Sequence, residues 1–190
     1  MGFLDTLLGR TKPAKPNLDA LFALPSAAIT LQAASGLTPT GTGSVCFKAA
    51  EGASFESLRA DAEKLLQADS QQVEETKDEY GYTWIVVRSS ADVSSLVTDL
   101  HVVNSTLEGA GFGGSLLCTV VGFSGKVDGT DRSVSLVYLY KRGTFYPFAP
   151  VGSDKRDNAF ELQIRAVVED DLRIEPDLSR WFPVWGAPGL

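Results

Sequence analysis

The chain has 190 residues, 44% of them apolar, and a formal net charge of −7. That length and apolar content specify one folded domain with a sizeable core and exclude a globally disordered chain. The acidic balance excludes a general nucleic-acid binder, which needs a basic stripe to neutralise phosphates.

Residues 1–10 place Phe3, Leu4, Leu7 and Leu8 on one helical face. Thr11-Lys-Pro-Ala-Lys-Pro-Asn17 follows as a stiff, extended linker. The cations Arg10, Lys12 and Lys15 make this stretch basic in an acidic chain. An apolar face followed by cations suits an anionic membrane surface. A helix shorter than about 12 residues is marginal alone, so packing on its own domain or a partner is the competing expectation. Residues 1–16 therefore read as an appendage.

Asn17 is expected to cap a short helix over Leu18, Leu21 and Phe22, ending before Pro25. Ser26 is expected to cap a second helix through Ala34, stopped by Gly36. Gly41 to Ala49 reads as a strand. Ser54 opens a helix with Phe55, Leu58, Ala62, Leu65 and Leu66 on one face. Val73 to Tyr80 and Tyr82 to Arg88 form a hairpin turning at Gly81. Ser90 or Asp92 caps the longest helix, buried through Val93, Leu96, Val97, Leu100, Val103 and Leu107. Leu116 to Phe123 is a strand, Gly125 to Asp131 a loop, Val134 to Lys141 a strand, and Thr144 to Phe148 extends the meander. Asn158 with Glu161 resembles a capping box opening a last helix over Phe160, Ile164, Val167 and Val168.

The class is α+β, an antiparallel sheet with helices mainly on one face. The central β-α-β-β-α-β order is that of a ferredoxin-like unit, with extra strands and a C-terminal helix. Residues 17–176 form this single domain, and residues 177–190 an aromatic, proline-rich tail.

The chemistry is sparse. Gly109-Ala-Gly-Phe-Gly-Gly114 matches a dinucleotide fingerprint in letters only. Here helix precedes strand, so a phosphate would meet the negative end of the helix dipole, and the run reads as a helix stop. The single histidine, His101, excludes metal sites built from histidine pairs. No Gly-x-Ser-x-Gly elbow accompanies it, and it reads as a core or boundary residue. The acidic clusters Glu74, Glu75, Asp78, Glu79 and Glu169, Asp170, Asp171, Glu175, Asp177 lack the order of a calcium loop and read as solvated surface. Cys46 and Cys118 lie in apolar strands and read as buried free thiols of a reducing cytosol, with a cross-strand disulfide left open. No signal peptide is expected, and no apolar run approaches the ~18 residues needed to span a bilayer. No catalytic set, cofactor site or metal site is expected.

The two most distinctive stretches are Leu139-Tyr-Lys-Arg-Gly-Thr-Phe-Tyr-Pro-Phe-Ala-Pro150 and Ser179-Arg-Trp-Phe-Pro-Val-Trp-Gly-Ala-Pro-Gly-Leu190. Their aromatics, prolines and glycines specify rigid loops and contact surfaces. The candidate interaction residues are Lys141, Arg142, Phe145, Tyr146, Trp181, Phe182 and Trp185, beside the N-terminal stripe. Lys141 and Arg142 are placed for cation–π contact, anion binding or a structural turn. Burying Trp181, Phe182 and Trp185 is worth at most about 15 kcal/mol. Ordering a dozen residues costs about 18 kcal/mol. This near balance leaves docking on the domain and ordering against a partner both open; the aggregation hazard of two bare tryptophans favours docking.

Leu139–Pro150 and Asp177-Leu-Ser-Arg-Trp-Phe-Pro-Val-Trp-Gly-Ala-Pro188, with Met1-Gly-Phe-Leu-Asp-Thr-Leu-Leu-Gly-Arg10, Gly43-Ser-Val-Cys-Phe47, Tyr80-Gly-Tyr-Thr-Trp84 and Leu96-Val-Thr-Asp-Leu-His101, resemble the PspA-associated protein PspAB family of actinobacteria and some archaea. The resemblance implies gene proximity to a PspA-like protein that maintains stressed membranes. It also implies a membrane zinc metalloprotease as a frequent neighbour. It carries over no catalytic residues. The expectation is a non-enzymatic cytoplasmic adaptor of envelope stress, peripheral at the inner membrane face, binding the PspA-like protein or the membrane protease. The alternative is a small-ligand module or cryptic enzyme with a pocket between sheet and helices near Lys141, Arg142 and His101.

Overall fold

The computed structural model describes residues 16–48, 72–89, 92–152 and 154–190. The helix expected from Ser54 and the stripe of Phe3, Leu4, Leu7 and Leu8 lie outside them.

A 3₁₀ turn over Leu18–Ala23 runs directly into helix α1, Leu24–Ser35. The expected break at Pro25 is absent because proline sits in the first turn of α1, where its missing N–H has no intrahelical partner to lose. Ser26 is therefore inside α1 rather than its cap, and the Asn17 side chain makes no capping bond. Gly36 does end α1, in the left-handed conformation at φ 70°. Leu18–Ser35 taken together is long and apolar enough to cross a membrane by length and composition, contrary to the expectation from the sequence. In this fold its Leu21, Leu24, Ala27, Ala28 and Leu31 belong to the core.

Strand β1 is Thr38–Phe47, followed among the described residues by β2, Gln72–Lys77, and β3, Thr83–Arg88. Helix α2, Val93–Leu107, is capped by Asp92, whose carboxylate accepts the Ser95 amide at 2.8 Å. A π-type turn over Glu108–Phe112 closes it. The glycine run is thus a helix stop, as its position after a helix dictates.

Strands β4, Leu116–Val127, and β5, Thr130–Leu139, make one long hairpin. The expected loop over Gly125 to Asp131 shrinks to Asp128-Gly129, both at positive φ, the conformation of a tight two-residue turn. Strand β6, Thr144–Phe148, and a short pair, β7 Pro150–Val151 with β8 Lys155–Arg156, lead to helix α3, Asn158–Val168. Its cap is Asp157, which accepts the Phe160 amide at 3.0 Å, not Asn158.

The sheet is fully antiparallel in the order β2-β3-β1-β4-β5-β6. Its first four strands, with β1 between β3 and β4, have the order of a ferredoxin-like unit; β5 and β6 extend it. Alternation along each strand separates two cores. Val45, Phe47, Ile85, Val87, Val121, Phe123, Leu136 and Tyr138 face the helices. Cys46, Trp84, Cys118, Val120, Val137, Tyr146 and Phe148 face the other way, where Trp181 and Ala187 of the C-terminal tail cover them. α2 approaches β1 so closely that a Cβ on Gly43 would meet Leu100 Cδ1 at 2.7 Å.

Candidate interaction surface

The tail crosses the sheet face opposite the helices. At its root, the Arg142 guanidinium donates to Glu175, whose side chain has no exposed surface. Thr144 Oγ1 donates to the same carboxylate at 2.8 Å, and the Asp177 amide does so at 3.2 Å. Burial raises the carboxyl pKa of Glu175, but the bonds from Arg142, Thr144 and Asp177 outweigh it and hold the pKa below the ordinary value. The backbone here also pairs with β6: Phe145 N–H donates to Arg173 and Glu175 N–H to Phe145. This covers an otherwise open sheet edge.

Beyond the root, Trp181 stacks on Tyr146 at 6.0 Å and donates its indole N–H to the Glu175 carbonyl at 3.0 Å. Tyr146 donates to the Phe182 carbonyl at 2.7 Å. Its phenol is pushed up, chiefly by burial. Trp185 meets Phe148 edge-on at 4.9 Å. Ser44 donates to the Pro188 carbonyl at 2.9 Å. Gly122 leaves room for Gly189, whose carbonyl would lie 2.1 Å from a Cβ at that position.

Arg156 joins three elements. It pairs with buried Glu161 of α3 at 2.8 Å, donates to the Trp181 carbonyl at 2.6 Å, and lies over the Phe148 ring at 5.1 Å. Glu161 also accepts the Ala149 amide at 2.9 Å. It is therefore a buried acceptor tying α3 to the end of β6, not the second half of an Asn158 capping box.

The candidate residues thus divide. Phe145, Tyr146 and Trp181 are buried, Trp185 is half-buried, and Phe182 and Lys141 are exposed. Arg142 holds the Glu175 carboxylate as a structural clamp. Leu178, Phe182 and Leu190 are the large apolar residues that the docked tail turns to solvent. Sequence reading missed Glu175, Asp171 and Arg156. Glu175 is buried, and Asp171 accepts Ser26 at 2.5 Å and Thr30 at 2.7 Å of α1, so neither is part of a freely solvated acidic face. The bonds of Asp171 to Thr30, Glu175 to Arg142 and Arg156 to the Trp181 carbonyl each span more than twenty residues, so no local signal marks them.

His101 lies at the boundary, Nε2 3.4 Å from Asp19 and the ring 4.8 Å from Phe22. Neither of two surface grooves is lined by His101, Lys141 or Arg142. A groove of about 520 Å³ lies instead among Pro25, Ile29, Gln32, Thr40, Asp92 and Val93, and a smaller one of about 270 Å³ beside Arg132 and Asp157. Among the described residues no three His, Cys, Asp or Glu side chains gather as metal ligands.

The fold and this surface define an α+β domain whose aromatic tail is part of its structure. A family model described as PspA associated protein B matches residues 1–189, and the chain belongs to that family. No curated protein and no solved structure matches it.

Proposed function

We propose that the chain is a non-enzymatic accessory protein that binds a PspA-like protein through the outward side of its C-terminal tail. It acts in the cytoplasm, at the inner face of a stressed membrane. The family description supports an association with PspA. The observation that carries the reading is Phe182, 59% exposed on a tail anchored before it through Trp181 and after it through Trp185 and Pro188. An aromatic held rigidly in solvent contributes to binding without a large ordering cost. The N-terminal segment supplies the membrane contact, and a membrane metalloprotease is the second partner class.

The test is calorimetry of the full chain against the PspA-like protein of the same organism, beside Phe182→Ser and a variant lacking residues 1–16. Micromolar or tighter binding, weakened about tenfold or more by Phe182→Ser, is expected. Absence of binding by the full chain overturns the reading.

The alternative, a small-ligand module or cryptic enzyme, draws support from the groove of about 520 Å³, a volume ordinary for ligand sites. A small molecule that co-purifies with the chain and is lost on Ile29→Glu would favour it.

A further inference from the structure

Cys46 and Cys118 stand directly opposite each other in the register of β1 and β4. Both are free, and they are 3% and 7% exposed. Opposed residues on antiparallel neighbours have Cα atoms about 4.5 or 5.5 Å apart. Disulfides form at Cα separations of about 4.4–6.8 Å, so either register is within range. Trp84 of β3 and the tail's Trp181 and Ala187 share the cluster that encloses the pair. The hydrogen bond with Cys118, and then burial, push the Cys46 thiol well above the ordinary range, which disfavours its thiolate while it is enclosed.

We propose that Cys46 and Cys118 are a disulfide-forming pair whose access to hydroperoxides is controlled by the C-terminal tail. This goes beyond the partner reading and does not depend on it. Cys118, the more exposed thiol, attacks as its thiolate. A sulfur–oxygen bond forms, the peroxide O–O bond breaks, and the leaving alkoxide takes up the Cys118 proton as an alcohol or water. The Cys46 sulfur then attacks the sulfenic sulfur. The S–S bond forms, the S–O bond breaks, and hydroxide leaves as water with the Cys46 proton. Two thiols lose two electrons and the peroxide gains them. The tail slows the first step by excluding peroxide, and its hold rests on Arg142 with Glu175, Arg156 with the Trp181 carbonyl and Ser44 with the Pro188 carbonyl. Local release of such a segment exposes what it covers without global unfolding.

The experiment treats the reduced full chain with hydrogen peroxide near neutral pH and follows intact mass and linked peptides. Wild type, Arg142→Ala, Trp181→Ala and Cys46→Ser are compared, with circular dichroism as the check of folding. The expected product is a Cys46–Cys118 linked peptide with loss of two hydrogens. Either tail variant should form it about tenfold faster or more. Cys46→Ser should instead carry oxygen on Cys118. Oxygen gain at the cysteines of wild type without linkage overturns the pair, as does failure of wild type and both tail variants to link. Equal rates in wild type and both variants overturn control by the tail; the wild-type product needs no variant to fold.

Discussion

Arg142, in the turn between β5 and β6, is bonded to Glu175, a carboxylate with no exposed surface at the root of the C-terminal tail. The pair joins two segments 33 residues apart and decides where the tail starts across the sheet. Removing one partner of a buried pair costs more than the pair contributes, because the other charge is left buried.

Arg142→Ala should therefore destabilise the fold by about 3 kcal/mol, the low end for such a loss, since Arg142 is itself partly exposed. Urea unfolding followed by circular dichroism measures it. A loss below half a kcal/mol, indistinguishable from an ordinary surface substitution, would show that the clamp is dispensable.

Acid should act through the same group. Glu175, Asp157 and Asp171 all have lowered pKa values. For Asp157 the Phe160 amide is the largest cause, and for Asp171 the Ser26 hydroxyl followed by that of Thr30. A depressed carboxylate contributes stability that is fully present above its unfolded value, about 4. That contribution is lost as pH falls through the lower folded value. The thermal midpoint should hold steady from neutral pH to about 5 and fall below about 4. Glu175→Gln should flatten that fall, and an unchanged acid limb would exclude Glu175 as a contributor.

Trp181→Ala should cost about 3–5 kcal/mol, the range for deleting a buried aromatic. Trp181 is only 5% exposed and loses both its stack on Tyr146 and its bond to Glu175. Phe182→Ser, one residue on, should change stability by no more than about 0.5 kcal/mol because its side chain faces solvent. Paired denaturation curves test the contrast; similar losses at both positions would mean the tail is not seated as described.

Gly122→Ala probes the far end. The added Cβ would meet the Gly189 carbonyl at 2.1 Å and Thr40 Oγ1 at 2.8 Å. The tail end should yield before the sheet, at about 1–3 kcal/mol for the overpacking. Carboxypeptidase should then remove the last residues faster from folded Gly122→Ala than from wild type. Equal rates would mean that residues 186–190 stay in place.

The α+β class, the long helix with its buried stripe, the hairpin at Gly81 and the order of the first four strands were readable because their signals are local. Apolar period, caps and turn residues act within a few positions. The readings that failed did so where a competing partner, near or far along the chain, outweighed the local signal. Ser26 caps nothing because Pro25 is accommodated in the first turn of α1, and its hydroxyl is bonded to Asp171. The loop expected after Phe123 is strand because β5 supplies backbone partners through Val127, leaving only Asp128-Gly129 to turn.

The amino-acid sequence by itself determined that this chain is an acidic α+β domain with aromatic contact segments, through composition and periodicity. Only the tertiary structure decided which aromatics are core and which are surface. Trp181 and Phe182 are adjacent and alike in the sequence, yet one is buried and the other exposed. The physical reason is that the tail has almost no regular structure of its own. Its side-chain directions are set by the Arg142, Arg156, Tyr146 and Ser44 anchors on the sheet, which only the fold brings beneath it.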